Sequence, residues 1–204
     1  IYVKTTNEQG TLMVEGDSMY KSYVNRFDCI PTSRKIQASV NDGDSIVKLE
    51  SYADRILQYK KQKMHIINIS QDIEFLEETF MHKGVTHPAA VCKTDYGIAW
   101  VNKNGCYLYD GKQVIDLLEK RGKQMISESR WNTFTNGSAS QEPMIGYIAK
   151  KRQIIVSDDI AANGAGNAFL YDMVTRSWIE GGTATFVDEN KTNFVNDNNG
   201  ELIF

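Results

Sequence analysis

The chain has 204 residues, of which 41% are hydrophobic and 24% are charged, and its formal net charge is −3. Such a composition is that of a folded globular protein with enough length to form a sizeable core. The near balance of charge provides no broad positive field, so nothing in the composition indicates a nucleic-acid or anionic-membrane partner. The chain has no run of about 18 apolar residues, which predicts that it has no membrane span.

The three cysteines, Cys29, Cys92 and Cys106, are an odd number without CxxC spacing. This pattern disfavours a disulfide framework or a zinc knuckle and favours buried free thiols in a reducing compartment. The chain begins at Ile1 and ends on an apolar run over residues 201–204, so we expect it to be a fragment of a longer chain.

The first part of the chain reads as short antiparallel strands. Apolar and alternating runs separated by polar turns predict strands at residues 1–4, 11–15, 46–52, 55–60 and 64–69. The segment 73–80 fits either a helix, because Ile73, Leu76 and Phe80 are spaced for one face, or a strand. We favour the strand, by analogy with the unit that follows.

Residues 86–118 carry the clearest pattern in the chain. The apolar runs 89–92, 98–101 and 106–109 alternate with turns, and residues 113–118 suit a fourth strand. The pairs Asn104-Gly105 and Asp110-Gly111 accept positive φ at low cost, and between apolar runs such pairs mark tight hairpins. The pattern predicts a small antiparallel meander, which is the unit from which propeller blades are made.

The region 112–134 is also the best helix candidate. Val114, Ile115, Leu117 and Leu118 have a roughly helical spacing, Gly122 would break the helix, and a second short helix is expected at 127–134. The segment 113–118 is therefore a strand by its place in the meander and a helix by its spacing, and the sequence leaves both open.

Two further units follow. Strands are predicted on either side of a loop at 158–167, and another unit begins near residue 192. Units that start near residues 46, 86, 143 and 192 are about 40 to 57 residues apart, which is the period of propeller blades. We predict an all-β fold, a β-propeller or partial propeller of four-stranded antiparallel blades with a short helical insertion near 112–134. The domain organisation expected is a single propeller-like domain over 1–204, with units at 46–80, 86–118, 143–182 and 192–204.

Two segments partly match known cofactor-binding or metal-binding motifs, but each lacks residues that the motif requires. Residues 164–169 imitate a dinucleotide-binding fingerprint, but Phe169 replaces the third glycine and the segment precedes a strand. Residues 196–200 imitate a calcium loop, but Val195 stands where the first aspartate belongs and the closing glutamate is missing. We assign no catalytic, cofactor-binding or metal-binding residue, and we predict a non-enzymatic protein without a cofactor.

The histidines have no metal-ligand spacing. His65 lies in an apolar strand and is predicted to be a core residue with satisfied hydrogen bonds, and His87, before Pro88, is predicted to make a turn contact. A glycosidase pair among the carboxylates stays open, although a run of acids more often forms a solvated face. The carboxylates considered are Glu74, Glu77, Glu78, Asp158 and Asp159.

Large aromatic side chains recur in the predicted strands. They indicate core packing between stacked sheets, with an aromatic platform for sugars as the alternative. These residues are Trp100, Tyr107, Tyr109, Tyr171 and Trp178.

Two stretches resemble known repeat families. Residues 169–178, with Gly181 and Gly182 shortly after, resemble the end of a kelch-type blade, which implies a protein-interaction module. Kelch repeats, however, place the glycine pair within a strand.

The central stretch is more similar to a second group. Residues 84–88, 91–101 and 105–111 resemble a recurring run in β-propeller virion proteins of tailed bacteriophages, which ends in Gly-x-Tyr-x-Tyr-Asp-Gly. The group comprises the tail nozzle and tail-tube propellers of short-tailed phages. The resemblance implies a structural subunit of a nozzle or tail-tube adaptor ring, with other copies of itself and neighbouring tail proteins as partners.

The same resemblance implies a location in the virion, in the phage tail, after assembly in the host cytoplasm. The acidic balance suits the wall of a channel past which genome DNA slides without specific binding. The alternative from another class is a carbohydrate-binding or carbohydrate-active propeller, with Trp100, Trp178 and nearby acids in a central pocket.

Overall fold

A computed structural model of the chain describes residues 4–6, 12–14, 16–40, 42–135, 143–157, 168–181, 193–197 and 199–203. Over these residues the protein is built from short antiparallel strands and one α-helix. The chain divides into two compact units, Ile1–Gly84 and Val85–Phe204. The all-β prediction is confirmed, whereas the propeller and the single domain over 1–204 stay predictions.

Unit 1 contains two small strand pairs and one four-stranded sheet. In the pairs, β1 (Lys4–Thr6) lies against β2 (Leu12–Val14), and β3 (Met19–Tyr20) lies against β4 (Lys35–Ile36). The sheet is a meander of β5 (Ile46–Tyr52), β6 (Arg55–Lys60), β7 (Lys63–Asn68) and β8 (Phe75–Met81). The strand favoured for residues 73–80 is thus confirmed, because β8 pairs along β7 and completes the sheet.

The two central strands of this sheet are buried on both faces. From Leu57 to Lys60 and from Met64 to Ile67 every consecutive residue is buried, so the polar alternation of a half-exposed strand is absent there. Burial on both faces puts polar side chains into the interior as well, which requires partners for them.

Unit 2 opens with the predicted central meander. Its strands are β9 (Val91–Thr94), β10 (Gly97–Asn102), β11 (Gly105–Tyr109) and β12 (Val114–Asp116), in the spatial order β12-β11-β10-β9. A turn forms after β10 where predicted, but Gly105 is the first residue of β11 and neither Asn104 nor Gly105 has a positive φ. The Asn102 Oδ1 closes the turn by accepting hydrogen bonds from the Asn104 and Gly105 amides at 2.8 and 3.1 Å. Gly97 cannot be replaced without a shift, since its φ is +140° and a Cβ there would lie 1.9 Å from the Tyr109 carbonyl oxygen.

The helix predicted over the first part of 112–134 is wrong. Val114–Asp116 pairs with β11, and the chain then forms a hairpin of β13 (Glu119–Lys120) and β14 (Lys123–Gln124). Cross-strand pairing outweighs the helical spacing here, and two consecutive left-handed residues, Arg121 and Gly122, close the hairpin turn. The short helix expected at 127–134 is confirmed as α1 (Glu128–Thr135), which Ser127 caps through a hydrogen bond from the Arg130 amide at 3.2 Å.

A second four-stranded meander and a hairpin complete unit 2. They are formed by β15 (Met144–Ile148), β16 (Gln153–Ser157), β17 (Ala168–Asp172), β18 (Ser177–Gly181), β19 (Val195–Asn196) and β20 (Leu202–Ile203). The predicted loop at 158–167, together with the glycine motif at 164–169, lies outside the described residues.

The sheets of unit 2 stack in sequence order. The first strand of the second sheet, β15, lies beside β9, which is the first strand of the preceding sheet, and the hairpin β19–β20 lies against β15 in turn. Gly146 in β15 permits this approach, because a Cβ there would lie 2.8 Å from the Phe194 Cβ. The second sheet is therefore covered on one face by elements that precede it and on the other by elements that follow it.

Candidate functional site

A group of polar side chains lies on one face of the unit 1 sheet. Gln58 and His65 are directly opposite each other on β6 and β7, and Thr79 continues the row on β8. Lys60 lies two residues beyond Gln58 on the same face of β6. Gln58 and Lys60 are fully buried and His65 is 2% exposed, so these three side chains lie inside unit 1, whereas Thr79 at the end of the row is exposed.

Two carboxylates from the N-terminal segment meet Lys60. The Lys60 Nζ donates to the Asp42 Oδ1 and Oδ2 at 2.9 and 2.8 Å and to the Asp17 Oδ1 at 3.3 Å. A second ammonium, that of Lys63, lies 2.7 Å from the Asp42 Oδ2. Because a buried ammonium is costly unless it is paired, the segment that carries Asp17 and Asp42 is held onto the sheet.

The segment is also fixed through its backbone. The Asp44 amide donates to the Asp42 Oδ1 at 3.0 Å, and the Asp44 carboxylate accepts from the Lys61 and Gln62 amides in the turn between β6 and β7, both at 2.9 Å. Burial alone would raise the pKa of Asp42, but hydrogen bonds from Lys60, Lys63, Ser39 and the Asp44 amide hold that pKa far below its usual range. Asp42 is therefore ionised throughout the physiological pH range.

Ser39 extends the network to His65. The Ser39 hydroxyl donates to the Asp42 Oδ2 at 2.6 Å, its Oγ lies 3.2 Å from the His65 Nε2, and the His65 Nδ1 lies 2.9 Å from the Thr79 Oγ1. A neutral imidazole protonated on Nε2 satisfies all three contacts. Because the serine proton points to a carboxylate and not to the imidazole, the set is not a nucleophile with its general base. The prediction that His65 is a satisfied core residue is confirmed.

Acid should loosen this network through His65. Burial, followed by the charges of Lys60 and Lys63, lowers the pKa of His65 from its ordinary value of 6.5. Below pH 6.5 His65 binds a proton more readily in the unfolded chain than in the folded chain, because its pKa is lower in the folded chain. The contribution of His65 to the free energy of unfolding is therefore constant above pH 6.5 and falls as the pH drops from 6.5 towards the folded pKa. Unfolding by urea at pH 7.5 and at pH 5.0 measures the loss, and His65→Gln should remove this part of it. An equal loss in both proteins would contradict the assignment. The contribution of Asp42 lies at more acidic pH, because its stabilisation is lost only below its usual pKa of 3.8.

Of the five carboxylates considered for a glycosidase pair, two form ion pairs with basic side chains, one is exposed on β8, and two lie outside the described residues. Glu74 pairs with Lys21, and Glu77 is bound by Arg55 through two contacts of 2.8 and 3.0 Å. These ion pairs lower the pKa of each carboxyl. Glu78 is exposed on β8, and Asp158 and Asp159 lie outside the described residues.

Four of the five aromatic residues predicted as core are buried, and Trp178 is half-buried. Trp100 is fully buried and its ring lies 5.5 Å from that of Tyr107, while Tyr109 and Tyr171 are 3% and 4% exposed. Trp178 is half-buried, and its indole N–H donates to the Leu117 carbonyl at 2.7 Å. A sugar-stacking platform requires an accessible ring, so Trp100 does not present one.

The stacking surface of unit 2 depends on residues that the sequence reasoning missed. Trp131 and Phe134 of α1 pack with Phe169 and Trp178, with ring centroids 4.7 to 6.2 Å apart. The Trp131 indole N–H donates to the Asn102 carbonyl of the preceding sheet at 3.1 Å. The helix therefore joins consecutive sheets, and the i, i+3 aromatic pair within the short predicted helix was the available signal.

The remaining single-residue predictions have mixed outcomes. His87 makes the turn contact expected, because its Nδ1 accepts from the Ala89 amide at 3.2 Å. All three cysteines are free, but only Cys106 is buried, while Cys92 is half-buried and Cys29 is exposed. The prediction of buried thiols is therefore wrong for Cys29, which lies in a surface turn. Gly181 is the last residue of β18, and Gly182 lies outside the described residues.

The turn after β19 uses its carboxylate for backbone bonds. The Asp197 Oδ1 accepts from the Asn199 and Glu201 amides at 2.9 and 2.7 Å.

Among the described residues no cluster of His, Cys, Asp and Glu side chains has the geometry of a metal site. Over the same residues no helix is long and apolar enough to cross a membrane.

No family model matches the chain, and a search of curated proteins finds no significant match.

Proposed function

We propose that the chain is a non-enzymatic structural subunit of a bacteriophage tail, of the nozzle or tail-tube propeller type. The observation that carries the proposal is the serial stacking in unit 2. A four-stranded meander, a second four-stranded meander and a hairpin follow one another. The second meander begins with β15, which lies beside β9, and the hairpin begins with β19, which lies beside β15. Blades of a propeller are arranged in this way around their axis.

The phage assignment is supported by the resemblance of the central stretch. The residues that carry the resemblance, 91–101 and 105–111, are those that form β9, β10 and β11 with their turns. Asp110, within that run, accepts from the Lys112 and Gln113 amides at 2.8 and 2.9 Å, so the motif serves the turn before β12. Such residues act by shaping a rigid blade and have no chemical step to perform.

A packing role also fits what the polar and aromatic groups do. Lys60, Asp42 and His65 hold one segment to a sheet, and Trp131 and Trp178 hold one sheet to the next. In the tail, copies of the chain would form a ring with neighbouring tail proteins, and genome DNA would pass without specific contacts. The net charge of −3 suits a channel wall that repels phosphate.

Native mass spectrometry and negative-stain electron microscopy of the purified chain test the proposal. The expected result is a discrete ring of several copies with a central channel. A stable monomer at tens of micromolar would contradict the ring. Binding of the wild-type chain to a glycan array would instead support the carbohydrate-binding alternative. Loss of that binding in Trp178→Ala would show that it depends on the Trp178 ring.

A further inference from the structure

The hairpin β13–β14 of unit 2 presents a group of exposed cations. Lys120 of β13 lies directly opposite Lys123 of β14, and Arg121 lies in the turn between them. Like charges in directly opposite positions of two strands destabilise the pair. None of the three forms an ion pair within the described part of the chain, so the hairpin offers its positive charge to a partner.

Lys120 joins this hairpin to the second four-stranded sheet of unit 2. Its Nζ donates to the Thr175 and Arg176 carbonyls, both at 2.9 Å, in the turn between β17 and β18. The Met173 amide of the same turn donates to the Arg152 carbonyl at 3.0 Å, in the turn between β15 and β16. Three turns therefore meet at one exposed surface, which we call the basic edge. It consists of Lys120, Arg121, Lys123, Arg152 and Arg176.

The carboxylates near the basic edge have other partners or face away from it. Glu119 lies on the other face of the hairpin, where it lines a depression. Asp172 accepts from two amides of its own turn at 2.9 and 2.8 Å and from a glutamine amide at 3.3 Å. Asp95 lies with Arg152 around the Tyr147 hydroxyl, from which it accepts at 2.9 Å. The basic edge thus keeps an excess of positive charge in a chain whose net charge is −3.

The composition of the basic edge indicates the kind of partner. Five cations spread over three turns exceed what one small anion can contact. Among the residues of these turns, all of which the structure describes, Val174 is the one exposed large apolar side chain, at 63%. Protein interfaces and membrane-surface sites both need more apolar contact than this, and protein interfaces are depleted in lysine. A polyanion with regularly repeated phosphates needs only cations, and the arginine fork matches phosphate geometry.

We propose that the basic edge binds the phosphodiester backbone of duplex DNA without reading its sequence. The three turns contain no aromatic residue on which unpaired bases could stack, so the duplex is favoured over a single strand. The acidic remainder of the chain repels phosphate, which confines the contact to this edge. Binding of a short duplex by the isolated chain does not require a ring, so this inference and the proposed function are tested separately.

Fluorescence anisotropy of a labelled duplex of about 25 base pairs measures the binding. We expect a dissociation constant on the order of micromolar at about 50 mM salt. Neutralising about three phosphates releases their counterions, so the affinity should fall about 40-fold between about 50 and 200 mM salt. A duplex of unrelated sequence should bind equally well, because phosphate contacts carry no sequence information.

A pair of matched double variants locates the binding surface. Lys123→Gln with Arg176→Asn should weaken binding at least about tenfold at about 50 mM salt and make the salt dependence shallower by about two phosphates. Asparagine tolerates the φ of +54° at position 176, so the fold should persist, which circular dichroism verifies. Arg26→Gln with Lys61→Gln removes the same charge from exposed cations of unit 1 and should leave the affinity unchanged within about twofold.

Each outcome decides for or against the basic edge. Salt-dependent binding that the first double variant loses and the second keeps supports it. Equal losses in the two double variants would show that binding follows the overall charge, which overturns the site. A wild-type chain that does not bind the duplex at about 50 mM salt overturns the inference and leaves the ring proposal standing. Binding to phosphatidylglycerol vesicles without binding to the duplex would assign the surface to a lipid and overturn the DNA partner. A monomer that binds the duplex as expected supports the basic edge while contradicting the ring.

Discussion

Replacing Lys60 by methionine should destabilise unit 1 more than any other single change in its polar network. The Lys60 Nζ is fully buried and is bound by Asp42 and Asp17, so its removal leaves Asp42 ionised with one cation fewer. We expect a loss of about 2–4 kcal/mol in the free energy of unfolding, below the full cost of an orphaned buried charge because Lys63 still pairs with Asp42. Urea unfolding at pH 7.5, followed by circular dichroism, measures this loss.

The neighbouring lysine provides the matched control for this change. Lys63 contacts the same carboxylate, but its side chain is 16% exposed and makes a single ion pair. Lys63→Met should cost less than about 1 kcal/mol. Adding Asp42→Asn to Lys60→Met should recover part of the loss, because it removes the unpaired charge. A loss of equal size in the two lysine variants would show that burial of the Lys60 ammonium does not organise the network.

Replacing Trp131 by alanine should have the largest effect in unit 2. The side chain is 1% exposed and packs with Phe134, Phe169 and Trp178. We expect a loss of about 3–5 kcal/mol in the free energy of unfolding of unit 2, because the truncation leaves a cavity between consecutive sheets. Hydrogen exchange of amides in β15 to β18 measures the loss locally.

A second variant at the same position separates packing from hydrogen bonding. Trp131→Phe keeps a ring but removes the N–H that donates to the Asn102 carbonyl. It should cost about 1–3 kcal/mol, which is the cost of leaving a buried acceptor without its partner. Equal losses for alanine and phenylalanine would place the effect in the hydrogen bond and not in the aromatic contacts.

Local signals predicted the strands and most of the turns. The position of the turn between β10 and β11 and that of the turn at Asp110 were predictable because each is determined by residues a few positions apart. The helix predicted over the first part of 112–134 was wrong because two local signals competed there. Val114 and Ile115 have a roughly helical spacing with Leu117 and Leu118, but they form a strand because they pair with Tyr109 and Leu108 of β11 across a tight turn.

The polar network could not be predicted from the sequence. Lys60 is 43 residues from Asp17 and 18 residues from Asp42, and each of these residues alone has the pattern of a solvated charge. Gln58 on the same face is fully buried, and its side-chain amide has no hydrogen-bond partner within the described ranges. The alternation of apolar and polar residues in β6 would instead predict that Gln58 faces solvent. Contacts from Asp17, Ser39 and Asp42, which lie outside this sheet, join these side chains into one network.

The exposed Cys29 makes the turn at residues 23–29 accessible to selective labelling. Its amide donates to the Arg26 carbonyl, so a dye attached to its sulfur would sit within the turn that carries Phe27. Burial raises the pKa of Cys106 well above its ordinary value and leaves that thiol unreactive. With Cys92 changed to serine, a maleimide fluorophore would report the environment of this turn alone, in real time and at nanomolar protein. The same thiol would form covalent dimers in air, so a reductant must be present whenever copy number is counted.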